Sequence, residues 1–233
     1  MIIGLSTGCF FPWKPDVRSQ MEEVLSMNID ALQILCASIG ELDEFIKSGL
    51  QPMKMKNVYF HLPWKGIRYG CNKETESVIK KMRELKQKAG INSFVIEADS
   101  IENIDPLKGF NILVENLNVL GKFGATAEDI TKIKKSYNTG FVFDIAHLYA
   151  AYGNFDKFGE MLGAMGSSLK MVHISGFSKG KWHSTIFDAE NKKQLSECLK
   201  KLKHYPIIIE SIMGSRETAE KELEFVRSML AGS

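Results

Sequence analysis

The sequence has few of the features that mark secreted, membrane or disordered proteins. It contains only four cysteines, irregularly spaced and never in a C-x-x-C pair, so no disulfide framework is indicated. No uncharged apolar run approaches the roughly 20 residues that cross a membrane. No basic segment precedes the first apolar residues, as it would in a signal peptide. Together these absences predict a cytoplasmic protein with reduced thiols that does not enter a membrane.

A strong charge of either sign is also missing. The chain has 30 Lys+Arg against 28 Asp+Glu, a net charge of +2, which argues against a dedicated nucleic-acid binder but leaves a local basic patch open. With 44% hydrophobic and 25% charged residues, the composition is that of an ordinary globular protein, which excludes a disordered chain. A length of 233 residues fits one large α/β domain or two small ones.

Eight short apolar runs recur along the chain at fairly even spacing. Most of them lack in–out alternation, and several are rich in β-branched or aromatic residues, which is typical of parallel strands buried on both faces. The runs are Ile2–Ser6, Ala31–Cys36, Val58–His61, Phe94–Glu97, Ile112–Glu115, Phe141–Asp144, Met171–Ser175 and Ile207–Glu210.

Amphipathic stretches with helical spacing separate most of these runs and predict about seven helices. The stretch after the sixth run is predicted to be helical over Asn154–Met165. After Glu97, Asp105-Pro106 interrupts a short segment, which predicts one helical turn or none. Strands and helices that alternate without a linker predict an α/β fold, a (β/α)8 TIM barrel that forms a single domain over residues 1–233. An open doubly wound sheet is less favoured, because no Gly-rich phosphate loop follows the first run.

Six consecutive predicted strands end in a histidine or a carboxylate. In a barrel of this kind, the active site lies at the C-terminal ends of the strands. The six residues are His61, Glu97, Glu115, Asp144, His173 and Glu210. Each of them alone has an ordinary explanation, such as a hydrogen-bonded core histidine, a helix cap or a strand that reaches solvent. As a set, they predict that polar side chains converge at one end of the barrel.

Converging carboxylates repel one another in a low-dielectric cavity, and burying each one is costly unless a cation neutralises it. Glu115, Asp144, His173 and Glu210 would offer three carboxylate oxygens and one imidazole nitrogen to such a cation. This combination suits Mn²⁺, Zn²⁺, Mg²⁺ or Co²⁺ and does not choose among them. The strand ends therefore predict a divalent metal site.

All three tryptophans fall in the segments that follow predicted strands. They are Trp13, Trp64 and Trp182, and each has a lysine beside it, namely Lys14, Lys65 and Lys181. Aromatic faces with nearby cations suit a polyol, an anionic substrate or stacked bases. The alternative is that these rings only pack over the mouth of the barrel. The tryptophans are therefore candidate substrate-lining residues.

The order of several short motifs resembles the xylose isomerase-like barrels, a superfamily that includes sugar isomerases, ketose 3-epimerases and endonuclease IV. The resemblance runs from Ile3 to about Met229. Its motifs are Phe60-His61-Leu62-Pro63, Glu115-Asn116-Leu117-Asn118, Asp144-Ile145-Ala146-His147, Val172-His173-Ile174 and Ile209-Glu210. Because the motifs follow one another at successive strand ends, they are more specific together than singly.

In the isomerase and epimerase branch, one metal is held by Glu, Asp, His and Glu, which Glu115, Asp144, His173 and Glu210 match. The resemblance implies a divalent-metal-dependent isomerase or epimerase of a small sugar, a sugar phosphate or a related hydroxy-carbonyl compound. Protons would move through a metal-stabilised enediolate, with Glu115 and Glu210 as the catalytic pair. The resemblance further implies substrate contacts for His61 and His147, and for Lys181 or His183 at a distal oxygen or phosphate.

The endonuclease branch is the alternative, and it implies a phosphodiesterase that acts on abasic DNA with several zinc ions. Seven of its ligand positions are matched, by His61, Glu115, Asp144, His147, His173, His183 and Glu210. Glu97 stands where that branch has a histidine, and Lys181 stands where it has an aspartate. A lysine would repel a zinc ion, so nucleic acid is the less favoured partner.

A third alternative is a non-catalytic barrel that binds a ligand with part of the site. The resemblance also implies a homodimer, because members of the superfamily often dimerise.

Overall fold

The computed structural model describes residues 1–49, 51 and 54–231. All eight predicted strands are present. They are β1 Ile3–Ser6, β2 Ala31–Leu35, β3 Asn57–His61, β4 Ser93–Glu97, β5 Asn111–Glu115, β6 Gly140–Asp144, β7 Leu169–Ile174 and β10 Ile207–Ile209. These strands form a closed parallel barrel in the order β1-β10-β7-β6-β5-β4-β3-β2. The predicted TIM barrel is therefore confirmed, whereas a single domain over residues 1–233 stays a prediction.

Helices surround the barrel. They are α1 Val17–Leu25, α2 Ile39–Lys47, α3 Lys73–Glu84, α4 Ala127–Ser136, α5 Ile145–Tyr152, α6 Phe158–Met165, α7 Lys192–Lys200 and α8 Arg216–Ala231. Most start at a side-chain cap; Asp16, for example, accepts a hydrogen bond from the backbone N–H of Ser19 at the start of α1. No helix within the described ranges combines the length and the apolarity needed to cross a membrane.

Two segments differ from the sequence prediction. The prediction of one helix over Asn154–Met165 was incomplete, because α5 starts directly after β6 and ends at Gly153, whose φ of 70° breaks the helix before α6. An antiparallel hairpin, β8 Gly176–Ser178 and β9 Lys181–Ser184, was not predicted. After β4 there is no α-helix, as expected, but there are two short 3-10 turns, Ala98–Ser100 and Asp105–Leu107.

The buried side chains form two apolar clusters on opposite faces of the strands. The larger cluster packs the barrel against the helices, and the smaller one fills the barrel interior. The smaller cluster contains Ala31, Val95, Leu113, Val142, Met171 and Ile208. Residues two positions apart in a strand share a face. In each strand, the residue two positions after a member of the smaller cluster therefore also points into the barrel. This brings the predicted strand-end residues together above that cluster.

Strands β1 and β2 approach so closely that Gly4 has no room for a side chain. A Cβ there would lie 2.1 Å from the carbonyl oxygen of Ala31 and 2.7 Å from its Cβ. We expect Gly4→Ala to destabilise the barrel by about 3 kcal/mol or more, because β1 must move away from β2. Urea unfolding measures this. Gly163→Ala is the control, since nothing lies within 4 Å of a Cβ there, and equal midpoints for the two variants would contradict the expectation.

Candidate metal centre

Four polar side chains meet at the C-terminal end of the barrel. Glu115, Asp144 and His173 are at most 1% exposed, and Glu210 is partly buried just after β10. One ligand atom from each of the four lies within 4.8 Å of all the others. Atoms that share one ion at 2.0–2.2 Å are at most about 4.4 Å apart, so the four residues fit a single divalent ion after a small contraction. These are the four residues predicted as metal ligands.

Glu115 is the centre of the hydrogen-bond network. Its Oε1 lies 2.9 Å from Nδ1 of His173, and its Oε2 lies 2.9 Å from Nε2 of His61. Nδ1 of His147 is 3.7 Å from the same carboxylate. Burial alone would raise the pKa of Glu115, but His173 and His61 hold it well below its usual range. Glu115 is therefore ionised at neutral pH.

The surrounding groups carry perturbed pKa values because charges are crowded in a buried site. Burial would lower the pKa of His173, but Glu210 and Glu115 raise it to about 9. The pKa of His147 rises to about 9 in the same way, beside Asp144 and Glu115. Burial raises the pKa of Asp144 to about 7. Buried carboxylates and histidines with displaced pKa values are typical of functional sites.

Asn116 holds the Asp144 segment, a role that the sequence did not reveal. Its side chain donates to the carbonyl of Asp144 at 2.9 Å and accepts from the Asp144 backbone N–H at 2.8 Å. Its own carbonyl accepts from Nδ1 of His147 at 2.8 Å, and Nε2 of His147 lies 3.6 Å from Asp144 Oδ2. Asp144 also caps α5 by accepting from the backbone N–H of His147.

Gln33 is the second residue that sequence reasoning missed. It lies on β2, is fully buried and bonds to both His173 and Glu210. A signal was present in the sequence, since Gln33 is a polar residue inside the apolar run Ala31–Cys36. Gln33 also lies two positions after Ala31, which is a member of the barrel-interior cluster. It therefore belongs to the same layer as the strand-end residues.

The additional candidates lie at different distances from the cluster. Glu97 pairs in register with Glu115, and burial raises its pKa to about 7. His183 packs edge-on against His147 at 6.2 Å, and Ser175 Oγ lies 3.2 Å from its Nδ1. The backbone of His183 has a φ of 54°, a strained conformation that is more frequent at functional sites. Lys181 is exposed on the β8–β9 hairpin, so the structure does not bring it to the cluster.

A cavity of about 690 Å³ opens beside the cluster, within the usual range of about 300–1,000 Å³ for small-molecule sites. Glu210, His183 and Trp64 line it. Trp13 packs against Phe10, and Trp182 packs against Phe177; neither is among the described residues that line the cavity. Of the three tryptophans, the cavity therefore supports a substrate-lining position for Trp64.

The apolar part of this cavity includes exposed rings and side chains. Phe11 is 60% exposed and Ile212 is 39% exposed, and both line the cavity. Two cations of the lining are already paired, because Lys14 lies 2.9 Å from Glu23 and Arg18 lies 3.0 Å from Glu22. The cavity therefore has apolar surface that a ligand would cover.

The comparisons with known proteins agree with this architecture. The family described as "Xylose isomerase-like TIM barrel" matches residues 64–229. A search of curated protein sequences found no match. A D-tagatose 3-epimerase-like protein of known structure is similar at 22% identity with a TM-score of 0.69, over 99% of this chain and 97% of that one.

Two further solved structures are similar. One is endonuclease IV from Thermus thermophilus, at 19% identity and a TM-score of 0.67, with both chains covered completely. The other is 3-keto-D-glucoside 4-epimerase, YcjR, from E. coli in its apo form, at 16% identity and a TM-score of 0.64, over 98% of this chain and 99% of that one. At these identities the likeness shows the fold. Because the family match spans more than half of the sequence, the chain belongs to the xylose isomerase-like TIM barrel family.

Proposed function

We propose that this protein is a divalent-metal-dependent isomerase or epimerase of a small sugar or a related hydroxy-carbonyl compound. The observation that carries the proposal is the cluster of Glu115, Asp144, His173 and Glu210, whose ligand atoms lie within 4.8 Å of one another, close to the spacing of a single-ion site. Glu210 also lines a cavity of small-molecule size, so a substrate in that cavity would reach the cluster. The likeness to two epimerase-type folds supports the same interpretation.

The reaction needs a proton to leave the carbon beside a carbonyl. In an epimerase a proton returns to the opposite face of the same carbon, and in an isomerase it returns to the neighbouring carbon. A bound divalent ion would supply Lewis-acid polarisation of that carbonyl. Glu210 faces the cavity and would accept the proton from the substrate. Glu115, held ionised between His61 and His173, would be the second carboxylate of the pair and would deliver to the substrate a proton supplied by His61, whose Nε2 lies 2.9 Å from its Oε2. His183 lines the cavity and would contact a substrate hydroxyl there. His147, whose Nε2 lies 3.6 Å from Asp144 Oδ2, would contact a hydroxyl of a substrate held at the cluster.

Metal analysis tests the proposal directly. We expect protein prepared without a metal-binding tag to hold about one divalent ion per chain at neutral pH, because four ligand groups converge on one point. Elemental analysis after dialysis gives the number, and titration of stripped protein with Mn²⁺, Zn²⁺, Mg²⁺ and Co²⁺ gives the preference. Absence of tight binding by all four ions would remove the proposal.

A phosphodiesterase that acts on abasic DNA is the second candidate. It is favoured by the histidines around the cluster, since His61 and His147 lie 2.9 Å and 3.7 Å from the Glu115 carboxylate. The fold of Thermus endonuclease IV is also similar. This function predicts about two or three metals per chain, as multinuclear phosphoryl-transfer sites require. A single bound ion, with no nicking of an abasic duplex, would dismiss it.

Three other predictions from the sequence stand beside the proposal, and the first of them is an alternative to it. A non-catalytic ligand-binding barrel would be stabilised by sugars without converting any of them. The cytoplasmic location and the homodimer stay predictions, and sedimentation of the purified protein measures the second.

A further inference from the structure

We propose that Gln33 is a positioning residue, which holds His173 and Glu210 in the orientation that a divalent ion requires. This inference rests on the proposed function, because it concerns the same four-residue cluster. It adds a fifth strand to the site, since Gln33 comes from β2. In the barrel order, β1 separates β2 from β10, and β2 is not paired with β7.

The contacts of Gln33 are short and both are made to the cluster. Its Nε2 donates to Oε1 of Glu210 at 2.6 Å, and its Oε1 lies 2.7 Å from Nε2 of His173. The side chain is fully buried. Gln33 therefore reaches across the barrel interior and bridges two proposed ligands that come from different strands.

The chemistry of the amide determines the direction of both bonds. The carboxylate of Glu210 only accepts, so it must face the NH₂ group of Gln33. The amide oxygen then faces His173, and because this oxygen only accepts, Nε2 of His173 must carry a proton. Without an ion, Nδ1 also carries a proton, which it donates to Glu115. When an ion displaces that proton, the neutral ring keeps its proton on Nε2 and has its lone pair on Nδ1.

Nδ1 of His173 is the nitrogen that faces the cluster. It lies 2.9 Å from Oε1 of Glu115 and 3.4 Å from Oε1 of Glu210. Gln33 thus selects the tautomer that presents an electron pair to an ion and restrains the ring from turning. Metal-binding histidines generally depend on such a partner at the other ring nitrogen.

A packing role alone does not account for a glutamine at this position. The strand residues of the barrel-interior cluster, one layer below, are apolar. If Gln33 only filled space, its amide would be buried without partners at a cost in free energy, and an apolar side chain would be more favourable there. Both polar atoms of Gln33 are satisfied by members of the cluster, which ties this residue to the site.

The test compares Gln33→Met with wild type in the affinity for Zn²⁺ or Co²⁺. Methionine has nearly the shape of glutamine but makes neither hydrogen bond. We expect a dissociation constant about 10- to 100-fold larger, measured by competition with a chromophoric chelator. Thr75→Val is the matched control, because it also removes a polar group from a fully buried side chain, on α3. Its metal affinity should equal that of wild type.

A second readout separates positioning from general destabilisation. In Zn²⁺-loaded protein with ¹⁵N-labelled histidine, NMR should show His173 of wild type with a proton on Nε2 that exchanges slowly. In Gln33→Met this proton should exchange faster. If Gln33→Met does not fold, Gln33→Asn replaces it, since its amide is one methylene shorter and cannot reach both partners.

The outcomes distinguish this inference from the proposed function. Wild type that binds one ion, together with Gln33→Met that binds it equally tightly and retains slow Nε2–H exchange, would overturn the role of Gln33 and leave the proposed function standing. Wild type that binds no divalent ion would overturn both. Weaker binding in Gln33→Met, with an unchanged Thr75→Val control, supports both.

Discussion

Replacement of Glu115 by glutamine should lower the turnover of the proposed isomerase or epimerase reaction by about two to four orders of magnitude. The carboxylate of Glu115 faces Nε2 of His61 on one side and Nδ1 of His173 on the other, each at 2.9 Å. An amide can accept on one side only, so its NH₂ group would face a ring nitrogen and the cluster would lose both an anion and a proton acceptor. Steady-state kinetics on the substrate found by a sugar panel measures the loss.

Glu210→Gln should have an effect of similar size, because Glu210 is the cluster member that faces the cavity. Glu222→Gln is the control for loss of a buried carboxylate. Glu222 is fully buried and accepts from the backbone N–H of Ile186 and from Oγ of Ser211. We expect Glu222→Gln to lower the unfolding midpoint and to leave turnover per folded molecule unchanged. Near-wild-type turnover in Glu115→Gln or Glu210→Gln would refute the catalytic assignment.

The metal-free protein should become less stable as the pH rises from about 6.5 to about 9. The pKa values of His147 and His173 are raised from 6.5 to about 9 by the carboxylates around them. The stability that comes from these charged histidines is therefore fully present below pH 6.5 and is lost as the pH rises through 9. The pKa of Asp144 is raised from 3.8 to about 7 by burial, so the protein also loses stability as the pH rises from about 3.8 through 7.

The expected loss is on the order of 3 kcal/mol for each of the two histidines, since each pH unit between the unfolded and folded pKa of a group contributes about 1.4 kcal/mol. Urea unfolding in the presence of a chelator, at pH 6, 7.5 and 9, measures this loss. Saturation with Zn²⁺ should reverse the trend, because metal binding requires deprotonated ligands. Stability of the chelated protein that increases with pH would contradict this account.

His173→Gln provides a variant in which the pH dependence of stability should be weaker, since one of the histidines with a raised pKa is gone. His204→Gln is the matched control. His204 is exposed and precedes β10, at the opposite end of the barrel from the cluster. Its profile should superimpose on that of wild type, so a change in both variants would point to a general effect of losing a histidine.

The sequence by itself determined the barrel and most of the proposed metal site. Eight apolar runs are enough to define parallel strands, and parallel strands in a barrel end at one face. A residue that ends a run, such as Glu115 or Asp144, therefore lies at that face, independently of the conformation of the loops. Strand periodicity then turns these side chains inward, because each lies two positions after a residue of the interior cluster.

The conformations of the loops were decided only by the tertiary structure, because they depend on contacts between residues that are distant in the sequence. Each of the three tryptophans follows a predicted strand in the sequence, yet Trp64 lines the cavity while Trp182 packs on Phe177. The β8–β9 hairpin places Lys181 in solvent and His183 beside His147. No local pattern distinguishes these outcomes.

Gln33 shows the same division within the core. Strand periodicity predicts that Gln33 points into the barrel, but it does not predict which side chains Gln33 contacts there. Those partners, His173 and Glu210, are 140 and 177 positions away in the sequence. Closure of the barrel brings them within hydrogen-bond distance, since opposite strands face one another across an interior only a few side chains wide. The strand ends thus follow from local chemistry, whereas the contacts across the barrel follow from its closure.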